Sequence, residues 1–84
     1  MNYQVYVLES AFETIALIKS IKRKEIREFI RSLSTDPFNQ GDFSEVDSIG
    51  RTIFTRIIHS HAIVFVADHA AKEIKVIEVL QADE

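Results

Sequence analysis

Arg56 and His61 are the residues best suited to chemistry on a charged substrate. Arg56 alternates with Phe54 and Ile58 along a β-branched run, which puts a guanidinium among apolar side chains on one face of a strand. Such a group needs a partner. It can be a phosphoryl group, whose developing charge the forked donors stabilise, or a carboxylate such as Glu78 or Glu45 that makes the arginine structural. His59, His61 and His69 fall near the ends of extended runs. An imidazole titrating near neutral pH can act there as general acid or base, or serve as a polar turn residue. His61 is the best placed of the three. Metal ligation through His59 and His61 would require Asp68 or His69, which the intervening strand holds about 20 Å away at ~3.3 Å per residue. A metal centre is therefore rejected. There is no glycine-rich phosphate loop, nucleophile elbow or Cys/His pair, so nucleotide hydrolysis and acyl transfer find no support and no cofactor is expected.

A second feature is a run of cations: Lys19, Lys22, Arg23, Lys24, Arg27 and Arg31 are six of the ten Lys and Arg residues. Acting together over a Debye length of roughly 8 Å, and with Arg51 further on, they suit a phosphate-facing or partner-facing surface. The plainer reading is a solvated outer helix face, with Glu25 and Glu28 offsetting part of the charge in pairs worth a few tenths of a kcal/mol.

These residues sit on elements that the pattern defines. Eighty-four residues at 46% hydrophobic content make one domain, residues 1–84, with a single core. The chain has no cysteine and no apolar run approaching the ~20 residues of a membrane span, so a cytoplasmic location without membrane attachment is expected. A core this small gains from a partner protein or a homodimer. Tyr3 to Leu8 read as a strand, and Ser10 with Glu13 as a capping box that starts a helix at Ala11. Two apolar stripes interrupted at Lys22 to Lys24 predict a helical hairpin over about 11–19 and 22–34. Pro37 forces the second helix to stop, and 36–41 form a turn-rich loop. Phe43 to Val46 make a short extended piece. Arg51 to Ile58, His61 to Ala67 and Glu73 to Leu80 are strands whose short connections demand antiparallel neighbours. Ile63 to Val66 are apolar on both faces, so that strand is central, while Lys75 and Glu78 take wetter positions. The fold class is α+β, in the order β-α-α-β-β-β, with the helical hairpin packed on a mainly antiparallel sheet.

This order resembles the RelE/ParE superfamily of bacterial toxins over essentially the whole chain. The matching pieces are Tyr3 to Leu8, the basic helical stretch ending Leu33-Ser34-Thr35-Asp36-Pro37-Phe38, Gly41, and the block from Arg56 to Phe65. The resemblance implies the toxin of a type II toxin–antitoxin (plasmid stabilisation) module, held inactive by a cognate antitoxin protein. Its activity would be that of a ribosome-dependent mRNA endonuclease (mRNA interferase), with Arg56 as the catalytic candidate that carries over from the family and His61, read from the residues alone, as the second. RelE-type nucleases carry basic and aromatic or histidine side chains near the C-terminus, whereas this chain ends Val79-Leu80-Gln81-Ala82-Asp83-Glu84 and has a net charge of −3. Two alternatives follow: a ParE-like inhibitor of DNA gyrase, or a non-catalytic interaction module that keeps the scaffold.

Overall fold

The computed structural model describes residues 2–82. Its first strand, β1 (Gln4–Val7), runs straight into helix α1 (Glu9–Ala16). Leu8 is the pivot: its N–H donates to the Val76 carbonyl at 3.0 Å, and its own carbonyl accepts the N–H of Phe12 at 2.9 Å. The residue that ends the ladder therefore also caps the helix, with extended angles (φ −66°, ψ 156°) and no side-chain capping bond. The capping box expected at Ser10 and Glu13 does not form, because the helix has already begun at Glu9 and Ser10 lies within its first turn.

Helix α2 (Ser20–Ser32) follows after three residues, beginning and ending earlier than the spacing suggested. No glycine or proline makes the break. Lys19 adopts extended angles (φ −58°, ψ 145°), Leu17 stays in solvent and Ile18 turns inward to 7% exposure. The Arg23 guanidinium donates to the Ala16 carbonyl at 3.2 Å, satisfying an acceptor at the end of α1. Beyond Ser32, Leu33, Ser34 and Thr35 continue as tighter turns, each N–H bonding the carbonyl three residues back, until Pro37 intervenes. Leu33 thereby stays buried although it lies outside the helix.

Among the described residues the strands form one five-stranded sheet in the order β1-β5-β4-β3-β2, with β2 Phe43–Val46, β3 Thr52–Ile58, β4 His61–Asp68 and β5 Glu73–Gln81. β1 joins β5 in parallel, and every other pair is antiparallel. The piece at 43–46 is a full edge strand, so the meander has four strands where three longer runs stood out in the sequence. β4 is the middle strand, as its two apolar faces predicted.

The looser alternation of β5 has a local cause. Val64 pairs with Glu78 but Phe65 with Val76, so Ile77 is an extra residue and the register shifts there. Ile74 and Val76 before the shift, and Val79 after it, consequently face the same way despite the odd spacing, and all three are buried. They meet Ile63 and Phe65 of β4 and, from the helices, Ala11, Ile15, Ile26 and Ile30. That layer is the core. The opposite face of the sheet is only partly covered, and Leu80 on it is 47% exposed.

Candidate functional site

Arg56 lies directly across from Ile63 on β4, on the helix-covered face with Phe54 and Phe65. The guanidinium carbon is 5.6 Å from the ring centroid of Phe29 on α2, and Phe29 in turn packs edge-on against Phe65 at 5.7 Å. The carboxylate beside it is Asp42, with Nη1 to Oδ1 at 3.6 Å. Neither Glu45 nor Glu78 can fill that role. Glu45 sits opposite Ile53 and Glu78 opposite Val64, and the two-residue period sends both to the other face of the sheet.

Asp42 reaches Arg56 because the chain comes close against β3 at Gly41. Gly41 has φ +64°, and a Cβ there would stand 2.6 Å from the Thr55 carbonyl oxygen. Only glycine fits both demands. The N–H of Asp42 then donates to that carbonyl at 2.7 Å, and its Oδ2 accepts the N–H of Ile57 at 2.8 Å. The carboxylate is thus engaged by the backbone and meets the guanidinium loosely. Arg56 Nε is buried without a hydrogen-bond partner.

β3 and β4 join through His59 and Ser60 alone, both in the left-handed region (φ 51° and 64°). A two-residue hairpin demands this geometry and usually takes Asn-Gly. Here the turn is pinned from both sides: the Ser60 carbonyl accepts the Ala82 N–H at 2.7 Å, and His61 Nδ1–H donates to the His59 carbonyl at 2.9 Å. The His59 imidazole reaches over to α2, where Nε2 bonds Glu25 Oε1. Glu25, Glu28, Phe29, Arg56 and His59 together line an open cavity of about 320 Å³.

The other sequence candidates go elsewhere. His61 does not line this cavity. His69 belongs to an aromatic group past the far end of β4, where its Nδ1 meets the Tyr3 hydroxyl at 2.9 Å and its ring stacks on Phe38 at 4.5 Å. Arg51 closes the β2–β3 turn through Asp47, with Nε to Oδ2 at 3.0 Å. The cation run divides. Arg23, Arg27 and Arg31, spaced by one helical turn each, line a groove of about 630 Å³ between α1, α2 and the β1 edge, whose floor includes Val5, Val7, Ile15 and Ile30. Lys19, Lys22 and Lys24 lie outside both cavities. Glu25 was the residue the sequence hid, since a helix residue 34 positions from its histidine leaves no mark in local spacing. Among the described residues no three His, Cys, Asp or Glu side chains gather as a metal ion would require, and no helix is long and apolar enough to cross a membrane.

A mixed sheet with one parallel edge and a helical pair on one face is an arrangement found among solved structures. The chain has the fold of the RelE toxins. It superimposes on archaeal RelE in the RelE–RelB complex from Pyrococcus horikoshii OT3 with a TM-score of 0.81 at 12% identity, covering 96% of each chain. The toxin–antitoxin complex RelBE2 from Mycobacterium tuberculosis gives a TM-score of 0.78 at 15% identity, covering 96% of this chain and 99% of that one. For the isolated E. coli RelE toxin the values are 0.76 and 13%, covering 98% and 86%. No protein-family model and no curated protein sequence matches the chain. The RelE-like fold thus rests on backbone geometry, and at these identities the side chains of the site must be read on their own terms.

Proposed function

We propose that this chain is the toxin of a type II toxin–antitoxin module, a ribosome-dependent mRNA endonuclease acting in the cytoplasm and neutralised by a cognate antitoxin. The RelE-like fold over the length of the chain supports the class. The single observation that carries the nuclease reading is Arg56: a guanidinium at an open cavity, with a buried Nε lacking any acceptor and an Nη1 only loosely met by Asp42. A scissile phosphate in the cavity would meet the exposed end of the guanidinium, which would stabilise the charge that builds on phosphorus as the bond breaks.

The groove beside β1 supports the antitoxin. Its apolar floor and its row of Arg23, Arg27 and Arg31 suit an amphipathic segment with an acidic face, and β1 is an edge strand with one side unpaired.

Glu25 and Glu28 at the same cavity as Arg56, in a chain of net charge −3, favour one second reading: a scaffold that binds its partner without cutting RNA. Inducible expression separates the possibilities. A nuclease arrests growth and shortens mRNA half-lives, a gyrase inhibitor arrests growth while altering DNA supercoiling, and a silent scaffold does neither. Co-expression of the adjacent reading frame's product should restore growth. Arrest with unchanged mRNA half-lives would sink the nuclease assignment.

A further inference from the structure

We infer that His59 and Glu25 form an acid–base dyad in which His59 is the catalytic base that accepts the 2′-hydroxyl proton of an RNA substrate and Glu25 is its positioning residue. This rests on the nuclease reading above and assigns the proton transfer that Arg56 cannot perform, because a guanidinium stays charged at all working pH values.

Three independent observations converge on the pair. First, the two-residue β3–β4 turn, which demands positive φ at both positions, carries His59 where Asn or Gly is usual, and so fixes an imidazole at the strand end facing α2. Second, the imidazole that this turn projects is bonded through Nε2 to a carboxylate from a different element, 34 residues away. A carboxylate on one ring nitrogen fixes the tautomer and orientation of the ring and leaves the other nitrogen, Nδ1, to meet a substrate, which is the base-and-orienter logic of acid–base sites generally. Third, the pair shares its cavity with the underbonded guanidinium of Arg56, so a proton acceptor and a stabiliser of phosphoryl charge border one space. His61 contributes by holding the turn: its Nδ1–H donates to the His59 carbonyl at 2.9 Å.

The reaction balances without an added reagent. The 2′-oxygen bonds to the adjacent phosphorus as its proton passes to His59 Nδ1, and Glu25 stabilises the imidazolium so formed. The bond from phosphorus to the 5′-oxygen then breaks, leaving a 2′,3′-cyclic phosphate. The departing oxygen takes a proton from water, and the resulting hydroxide deprotonates the imidazolium. Arg56 faces the phosphoryl oxygens throughout. RNA is therefore the substrate, since DNA lacks the attacking hydroxyl.

The test is cleavage of mRNA on programmed ribosomes by the purified full chain and four variants. His59→Asn and His59→Gly both tolerate a positive φ, so the turn is preserved. The dyad predicts that each lowers kcat on the order of 100-fold or more, and that free imidazole restores cleavage to His59→Gly but not to His59→Asn, whose side chain fills the space. Glu25→Gln should lower kcat with KM unchanged, and Glu25→Asp should recover part of the loss. If His59→Asn cleaves within about threefold of the parent, or if His59→Gly loses activity that imidazole does not restore, the dyad is wrong while the nuclease reading stands. A parent chain that leaves every ribosome-bound mRNA intact overturns both.

Discussion

Arg56 and Phe29 meet across the seam between α2 and β3, the guanidinium carbon 5.6 Å from the ring centroid. The ring gives the cation a face to lie against without consuming any of its five donors, so the arginine is positioned while its hydrogen-bonding capacity stays largely free. That separation of placement from pairing distinguishes it from a structural ion pair, and its consequences can be measured.

Replacing Arg56 should divide activity from stability. Arg56→Ala is expected to lower mRNA cleavage by about 10²- to 10³-fold, the usual loss when one stabiliser of transition-state charge is removed. Arg56→Met keeps the apolar stem against Phe29 and removes the orphaned Nε, so its unfolding free energy in urea should equal or exceed that of the parent. A loss above ~2 kcal/mol in the methionine variant would show that Arg56 is chiefly structural.

The β3–β4 turn makes the opposite trade visible. Replacing His59-Ser60 by Asn-Gly supplies the residues that the left-handed backbone prefers, and should raise stability by about 1 kcal/mol in urea denaturation. The same variant should abolish growth arrest on expression, because the imidazole is gone. A protein equally toxic and more stable would remove His59 from the chemistry.

Gly41 and Gly50 form an internal comparison. Both have positive φ, but a Cβ at Gly41 would meet the Thr55 carbonyl oxygen at 2.6 Å, whereas one at Gly50 would meet nothing within 4 Å. Gly50→Ala should cost only the backbone strain of about 1–2 kcal/mol. Gly41→Ala should cost clearly more and loosen Asp42 from β3. Thermal midpoints of the two variants give the order directly.

Asp47 predicts the acid limb of stability. The backbone N–H of Arg51 holds its carboxyl below the ordinary value of 3.8, outweighing the opposing effect of desolvation and aided by the Arg51 side chain and the N–H of Ile49. A folded value below the unfolded one means the contribution is present above about 3.8, where both states are ionised, and is lost as pH falls through the folded value. Asp47→Asn should therefore make the unfolding midpoint fall less steeply with pH below 3.8, with its largest deficit near neutrality. An unchanged slope would remove Asp47 from the acid response.

Much of the fold was legible because it is written in short-range periods. The apolar and β-branched runs located β1, β3, β4 and β5, and the two-sided apolarity of Ile63 to Val66 placed β4 at the centre. The helix starts were less legible. Leu8 caps α1 with its backbone while still bonded to Val76, so the Ser10 signal that a capping rule recognises was present but unused. β2, exposed along its length, was legible at its observed bounds only as a short extended piece, and its pairing with β3 is what makes it the edge of the sheet.

By itself the sequence determined that Arg56 shares a strand face with apolar neighbours and that a cluster of cations rides on the helical segment, since both follow from counting along the chain. Tertiary structure alone decided what those groups meet. Strand pairing put Glu45 and Glu78 on the wrong face and brought in Asp42, a two-residue turn aimed His59 at Glu25, and the packing of α2 against the sheet gave Arg56 its aromatic neighbour. Contacts between residues 14 to 34 positions apart depend on register and turn geometry, which no local pattern encodes.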